Sequence, residues 1–208
     1  DMKGQQVTHG VLREAKFVKP VAQKDKRYLA TVGIESVKTG DRLLYDFYEH
    51  IGEMANREIQ KMDTKDNVLV NFVTQVTGKS KDKIIDRAMA KSPVMTTIYG
   101  SLINTIKRNL GFEIGKKNII KAIQDNEKLR NMTFGEFLNA KFEAGSMEWN
   151  LKALILFLTE GNKYPPMFET IDDAGDIVQV DSKDIENQTL GNMVFSKKMN
   201  RNVSKIAE

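Results

Sequence analysis

The chain has 208 residues, 40% of them hydrophobic, enough for one sizeable core or for one domain and an appendage. Lysine and arginine total 32 against 28 acidic residues, and the formal net charge of +4 permits a polyanionic partner without requiring one. The absence of cysteine excludes disulfides, thiolate nucleophiles and cysteine-ligated metals, and the longest apolar run, Leu154 to Leu158 between Lys152 and Glu160, is far below the ~20 residues of a membrane-spanning helix.

The first residue is Asp1 and no signal-peptide pattern follows it, as expected of a piece of a longer, soluble protein. From Asp41 to Met62, behind the breaker Gly40, Leu43, Leu44, Phe47, Ile51, Met54, Ala55 and Ile59 recur at three- and four-residue steps and predict a long amphipathic helix. Helical periodicity is also readable at Asn67–Val76, at Lys81–Lys91 continuing through Val94–Tyr99, and at Ser101–Leu110, Lys116–Asp125, Thr133–Glu143 and Met147–Thr159. Thr133 and Glu136 have capping-box spacing and are expected to open their helix. After Tyr164-Pro165-Pro166 the period changes. Phe168–Ile171 and Asp176–Val180 flank Asp172-Asp173-Ala174-Gly175, the pattern of a β-hairpin. From Ser182 onward the chain is polar and weakly patterned and reads as loop.

Two apparent phosphate loops fail on spacing. Gly78-Lys79-Ser80 would need its first glycine at Val73, and Gly111-Phe112-Glu113-Ile114-Gly115-Lys116-Lys117 lacks the magnesium-binding hydroxyl and reads as a helix-to-helix turn. His9 and His50 have no ligand-spaced partners and read as structural, and Trp149, between Met147 and Leu151, reads as a core residue. Lys79 to Lys91, Lys107 to Lys121 and Lys197 to Lys205 are basic stretches. They suit a nucleic-acid channel, though each alone is more commonly a solvated helix face.

Arg87, Lys91, Met95 and Tyr99 recur at steps of four and Gly100 follows at once. On a helix they form one slowly turning stripe, roughly 18 Å long at ~1.5 Å per residue. Two cations stand toward one end and an aromatic with a hydroxyl at the other. A nucleoside triphosphate has the same polarity, with phosphates for Arg and Lys and a base or sugar for the ring. Pro93 falls inside this segment and is expected to kink the helix or restart it at Ser92.

The arrangement Arg87-x3-Lys91-x3-Met95-Thr96-x2-Tyr99-Gly100 closely resembles motif B, the fingers helix of the phage and mitochondrial single-subunit RNA polymerases, including the virion-packaged phage branch. In that family the Arg and Lys contact the incoming triphosphate and the Tyr takes part in nucleotide selection and translocation. The resemblance therefore implies nucleotide-binding roles for Arg87, Lys91, Tyr99 and Gly100, and catalytic roles for Lys91 and Tyr99. Gly4-Gln5-Gln6 with Leu12-Arg13 is similar to motif A, which implies Asp1 as a catalytic, magnesium-binding carboxylate with Gly4 beside it and Mg2+ as cofactor. Asp46-Phe47-Tyr48 through Asn56 resembles the helix between these motifs, and Phe168–Val180 the hairpin after the fingers.

The fold the resemblance implies is mainly α with a small β-hairpin: the fingers plus a partial palm of a right-hand polymerase. Residues 1–62 would be partial palm, 63–164 the fingers helices, and 165–208 the hairpin and a tail leading toward motif C. That motif supplies the second metal-binding carboxylate from a His-Asp turn, and neither His9 nor His50 precedes an aspartate. The piece alone is expected not to polymerise. Within its parent it would add ribonucleotides to RNA under template direction. Its partners would be DNA template, nascent RNA, ribonucleoside triphosphates and a second chain carrying the rest of the palm, and it would work in the cytoplasm of an infected bacterium or packaged in the virion. The alternative is a non-catalytic helical module that binds nucleic acid or serves as a polymerase subunit.

Overall fold

In the computed structural model the described residues are 19–20, 33–35, 42–44, 47–62 and 67–208. Asp1, Gly4, His9 and the rest of the motif A-like stretch lie outside them. The described part is mainly helical, as the periodicity predicts, and carries two small antiparallel sheets, of which only the one built on the hairpin is expected from the sequence. Strands β1 (Lys19–Pro20), β2 (Gly33–Glu35) and β3 (Arg42–Leu44) pair in the order β1-β3-β2. Leu43 and Leu44, expected to begin a helix at Asp41, are therefore strand residues. Helix α1 begins only at Phe47 and runs Phe47–Lys61.

Helix α2 (Val68–Thr77) is opened by Asn67, whose side chain accepts from Val70 N, and closed by Gly78 at φ 66°. This left-handed glycine is the helix stop that the decoy phosphate loop concealed. The next helix does not start at Lys81 as the periodicity predicts. Lys81–Lys83 form one 3-10 turn, Ile84 and Ile85 are buried, and α3 (Arg87–Ile98) is launched by Asp86, whose carboxylate accepts from Met89 N at 2.9 Å. An unsatisfied N–H at Met89 is thereby capped. Pro93 neither breaks nor restarts α3, which runs through it as one element.

Helix α4 (Ile103–Gly111) passes without a turn into α5 (Lys117–Asp125) through a π-helical segment, Phe112–Lys116. The predicted helix-to-helix turn is absent because Gly111 and Gly115 are packing residues. A Cβ on Gly111 would lie 2.0 Å from the Val203 carbonyl oxygen, and one on Gly115 would lie 2.5 Å from Ile206 Cδ1. The glycines let the C-terminal segment lie against the helix backbone, and the π segment widens the helix where it does so.

Two short helices follow, α6 (Glu127–Asn131) and α7 (Phe134–Asn139). The Thr133/Glu136 capping box is present, with Thr133 N donating to Glu136 Oε2 at 2.8 Å and Glu136 N to Thr133 Oγ1 at 3.1 Å. Helix α7 stops at Asn139, short of the expected Glu143. The loop that replaces its last turn presents Gly145 O to Gln75 Nε2 at 2.7 Å and Ala140 O to Lys152 Nζ at 2.9 Å. Helix α8 (Met147–Leu158) is capped by Ser146. The hairpin is present as β4 (Met167–Ile171) against β5 (Ile177–Gln179), and β6 (Met193–Val194) adds to the other edge of β4.

The tail after Ser182 is not loop but part of the core. Phe134 N donates to Gln188 O and Leu190 N to Met132 O, each at 2.8 Å, and α9 (Lys197–Asn202) buries Met199 completely. One core cluster joins Phe72 of α2, Ile119 of α5, Phe137 of α7, Ile155 of α8, Phe168 of β4 and Met199 of α9. The sequence hides this because Ile185, Leu190, Met193, Phe195, Met199 and Val203 are spaced by turns and fit no single period.

The Gly111 contact carries a test with opposed signs. Helix propensity alone predicts that Gly111→Ala stabilises the protein by ~1 kcal/mol. The close approach of Val203 predicts instead a loss of roughly 1–3 kcal/mol from overpacking. Urea unfolding of the two proteins gives the sign.

Candidate functional site

The stripe predicted from the steps of four lies on α3, and α1 packs along it through residues that are themselves four apart, Tyr48, Gly52 and Asn56. Asn56 Nδ2 donates to Ile85 O and Ile85 N donates to Asn56 Oδ1, both at 2.8 Å and both buried. Gly52 admits this segment closely, since a Cβ there would stand 3.0 Å from Ile85 O. Tyr48 lies beneath Arg87, whose guanidinium carbon is 5.4 Å from the ring centroid, and donates its hydroxyl to Met95 Sδ at 2.9 Å. Arg87 is thus half-buried and held over an aromatic face, a geometry that suits a guanidinium.

Successive members of the stripe turn by ~40° per four residues. Ala90 and Val94 take the buried face of α3, Lys91 is exposed, and Tyr99 at the C-terminal end is 65% exposed. Gly100 has a backbone role at its place. At φ +76° its N–H donates to Thr97 O at 3.0 Å while Ser101 N donates to Thr96 O at 2.9 Å, the paired bonds of a Schellman stop. The glycine ends the helix and leaves the Tyr99 ring at its open edge.

Arg87 also borders a cleft of about 690 Å³ between α1 and the 82–87 segment. Its lining is mixed, with Glu49, Glu53, Asp82 and Asp86 beside Arg57, Lys83 and Arg87. Lys91 does not line it, so the two cations share a helix but not this cleft. Asp1 and Gly4, the residues assigned to magnesium, lie outside the described residues, and among the described residues no group of three or more His, Cys, Asp or Glu is placed to hold a metal ion. His50 is 8% exposed, with Nδ1 3.9 Å from Glu53. Trp149 is 39% exposed rather than in the core, because Leu151, Leu154, Ile155 and Leu158 take the inward face of α8.

The basic stretches carry many internal partners. Lys79 pairs with Asp86, Lys117 with Glu113 at 2.7 Å, Lys121 with Asp125, Lys107 with Glu208 at 3.3 Å, and Lys198 and Lys205 both reach Glu160. Lys116 is wedged between the Phe112 and Phe195 rings and donates to Asn200 Oδ1 at 2.8 Å. Partial burial there holds its ammonium below the usual lysine range.

Sequence reasoning did not single out Tyr48 and Asn56 as individual residues. Their signal was the i, i+4, i+8 series with Gly52, a polar and small stripe within an otherwise amphipathic helix. No protein-family model matches the chain, and no curated protein or solved structure does either.

Asp86 links the start of α3 to pH. Partial burial pushes its pKa up, but hydrogen bonds from Lys79 and from the Met89 and Ala88 backbone outweigh this and hold it below the ordinary aspartate range. A depressed folded-state pKa contributes stability above the unfolded value of about 3.9, and that contribution is lost as pH falls through the folded value. The Asp86 side chain is 43% exposed, so solvent screening limits the effect. Asp86→Asn, which keeps the cap oxygen and removes the charge, should cost under about 1 kcal/mol at neutral pH. The difference should shrink below about pH 4, as read from urea midpoints of both proteins across that range.

Proposed function

We propose that the chain is the nucleotide-binding part of a DNA-dependent RNA polymerase of the phage single-subunit kind, acting within a longer protein or with a second chain that completes the palm. The observation that carries this reading is the coincidence of the motif B-like pattern with one uninterrupted helix. That helix holds Arg87 at its start and Lys91 exposed one turn on, and it stops at Gly100 with Tyr99 open to solvent. In the proposed complex Arg87 and Lys91 neutralise the triphosphate of the incoming ribonucleotide. The RNA 3′ hydroxyl attacks the α-phosphorus, the bond to the β-phosphate oxygen breaks, and pyrophosphate leaves. Tyr99 would meet the sugar and base at the other end of the stripe. The template, the nascent RNA and an infected bacterial cytoplasm or a virion belong to the same proposal. Magnesium is expected at Asp1.

A second reading, a helical module without chemistry that binds nucleic acid or a polymerase, is favoured by the mixed lining of the cleft and the ion pairs within the basic stretches. Lys91→Ala in the complete enzyme tests the triphosphate contact, and a His-Asp turn downstream in the parent reading frame favours the polymerase over the module. Loss of a charge-assisted contact of ~1.5–3 kcal/mol should lower kcat/KM by roughly 10- to 100-fold with template binding nearly unchanged. Equal loss in kinetics and in a template-binding titration makes Lys91 part of a basic nucleic-acid channel and not a triphosphate contact.

Tyr99→Phe tests the other end of the stripe. The ring is retained, so stacking survives and only the hydroxyl's hydrogen bond goes, a change of ~0.5–1.5 kcal/mol or somewhat more where its partner is left dry. Discrimination between ribo- and deoxyribonucleotides should relax several-fold to roughly tens-fold while ribonucleotide addition slows less. Competition of each ribonucleotide with its deoxy counterpart on one template measures it. An unchanged ratio removes Tyr99 from sugar selection.

A further inference from the structure

Charge is segregated along this chain. Between Met167 and Val180 lie Glu169, Asp172, Asp173 and Asp176 with no lysine or arginine, so this arm carries −4 in a chain of +4 and the remainder carries +8. The arm is the β4–β5 hairpin. Phe168 roots it in the core, with its ring centroid 5.7 Å from that of Phe134, and Val180 N closes the root on Phe168 O at 2.8 Å. Beyond the root it has no cover. Ile171 and Ile177 stand opposite each other in register at the tip, 71% and 72% exposed, and β5 is the outer strand of its sheet. Asp172 Oδ1 accepts from Ala174 N and Asp176 N, which fixes the turn and the presentation of the isoleucine pair.

A second uncovered surface has the opposite character. The outer face of α8 and the loop before it form a groove of about 550 Å³ lined by Phe142, Trp149, Ala153 and Leu156, with Lys141 and Lys152 as its only charged lining residues. Phe157 beside it is 49% exposed and Trp149 39%. An apolar floor with lysines and no carboxylate complements an apolar pair set among carboxylates, in both hydrophobicity and charge. Within one molecule the isoleucine pair and Trp149 are all left exposed.

We propose that these surfaces bind each other between two copies of the chain, the Ile171/Ile177 arm of one seating on the Trp149 groove of the next. The contact is heterologous, so each copy keeps one free arm or one free groove and association continues head to tail. It lies away from α3 and does not depend on the nucleotide-binding reading. A contact of one hairpin tip with one groove is small, so association should be weak, with Kd on the order of 10 to 1,000 μM, and weaker at high salt.

Trp149 is the chain's one tryptophan and reports directly on the groove. The 208-residue chain should sediment as a concentration-dependent mixture, with Trp149 emission shifting to shorter wavelength as protein concentration rises. Two variants make the test specific: Ile171→Ser with Ile177→Ser destroys the arm at exposed positions, and Trp149→Ser destroys the groove. Each variant alone should remain monomeric, with apparent affinity at least about tenfold weaker. Mixed together they should form only capped one-to-one pairs, and emission from the arm variant's Trp149 should shift when the groove variant is added. The idea is overturned if wild-type protein stays monomeric with unchanged emission, if either variant alone still assembles, or if the mixture does not pair. It is equally overturned if the shift is produced by a single-stranded oligonucleotide and not by protein, which would make the groove a base-stacking surface.

Discussion

Asn56 presents one amide to one peptide unit, and the geometry of α3 depends on it. Ile85 has both its N–H and its C=O in the buried region between α1 and α3, where neither can reach water, and the Asn56 side chain satisfies both at once. A buried peptide group without such a partner would cost ~1–3 kcal/mol for each orphaned atom. The clamp fixes the residue immediately before Asp86, and Asp86 fixes the first turn of α3 by capping Met89. From that origin the positions of Arg87, Lys91, Met95 and Tyr99 follow from helix geometry alone. Tyr48, two turns up the same face of α1, then constrains the stripe from the side through Arg87 and Met95. The face Tyr48-Gly52-Asn56 therefore functions as a jig for the helix it packs against: a ring, a gap and an amide, each suited to what lies opposite.

Much of this was legible before any coordinates. The apolar periods of α2, α5 and α8, the Thr133 capping box and the hairpin are written in local chemistry, and they stand where the sequence places them. What misled was residue type read without its neighbours. Gly111 and Gly115 look like breakers because glycine usually ends helices, yet here they serve a close approach by Val203 and Ile206, which are ~90 residues away in sequence and invisible to a local window. Gly78 and Gly100, by contrast, do end helices in the left-handed conformation, and the lysine and serine after Gly78 only imitate a phosphate loop. Trp149 looked like core because it lies between Met147 and Leu151, but α8 is apolar on more than one face and only one face is inward.

The tail shows the same limit at larger scale. Its buried residues are separated by short turns that follow one another without a common repeat, so no period accumulates. Yet Phe195, Met199 and Val203 complete the core against helices formed far earlier in the chain, and residues on both sides of Tyr164 share that core. Hydrophobic burial is non-directional and sums over whatever lies within reach. Pattern arguments recover regular elements well and irregular segments poorly for that reason.

The two cations of the stripe are differently prepared, and the difference bears on how the proposed triphosphate site would work. Arg87 is half-buried over the Tyr48 ring beside a cleft whose carboxylates offset part of its charge. Half-burial against the ring restricts its side chain, so less side-chain entropy would remain to be lost on binding. That order is gained at the expense of field strength, because Glu49, Glu53 and Asp82 stand close by. Lys91 has the complementary properties: exposed on the helix surface, it is a compact point charge on a flexible stem that can follow a ligand at the cost of its own rotamer freedom. Many lysines of the flanking basic stretches are engaged with Glu113, Asp125, Glu160 or Glu208, so the long-range positive field is smaller than the lysine count implies. Discrimination at such a site would rest on the short-range geometry of one ordered guanidinium and one adaptable ammonium, with Tyr99 about three turns further along the same helix.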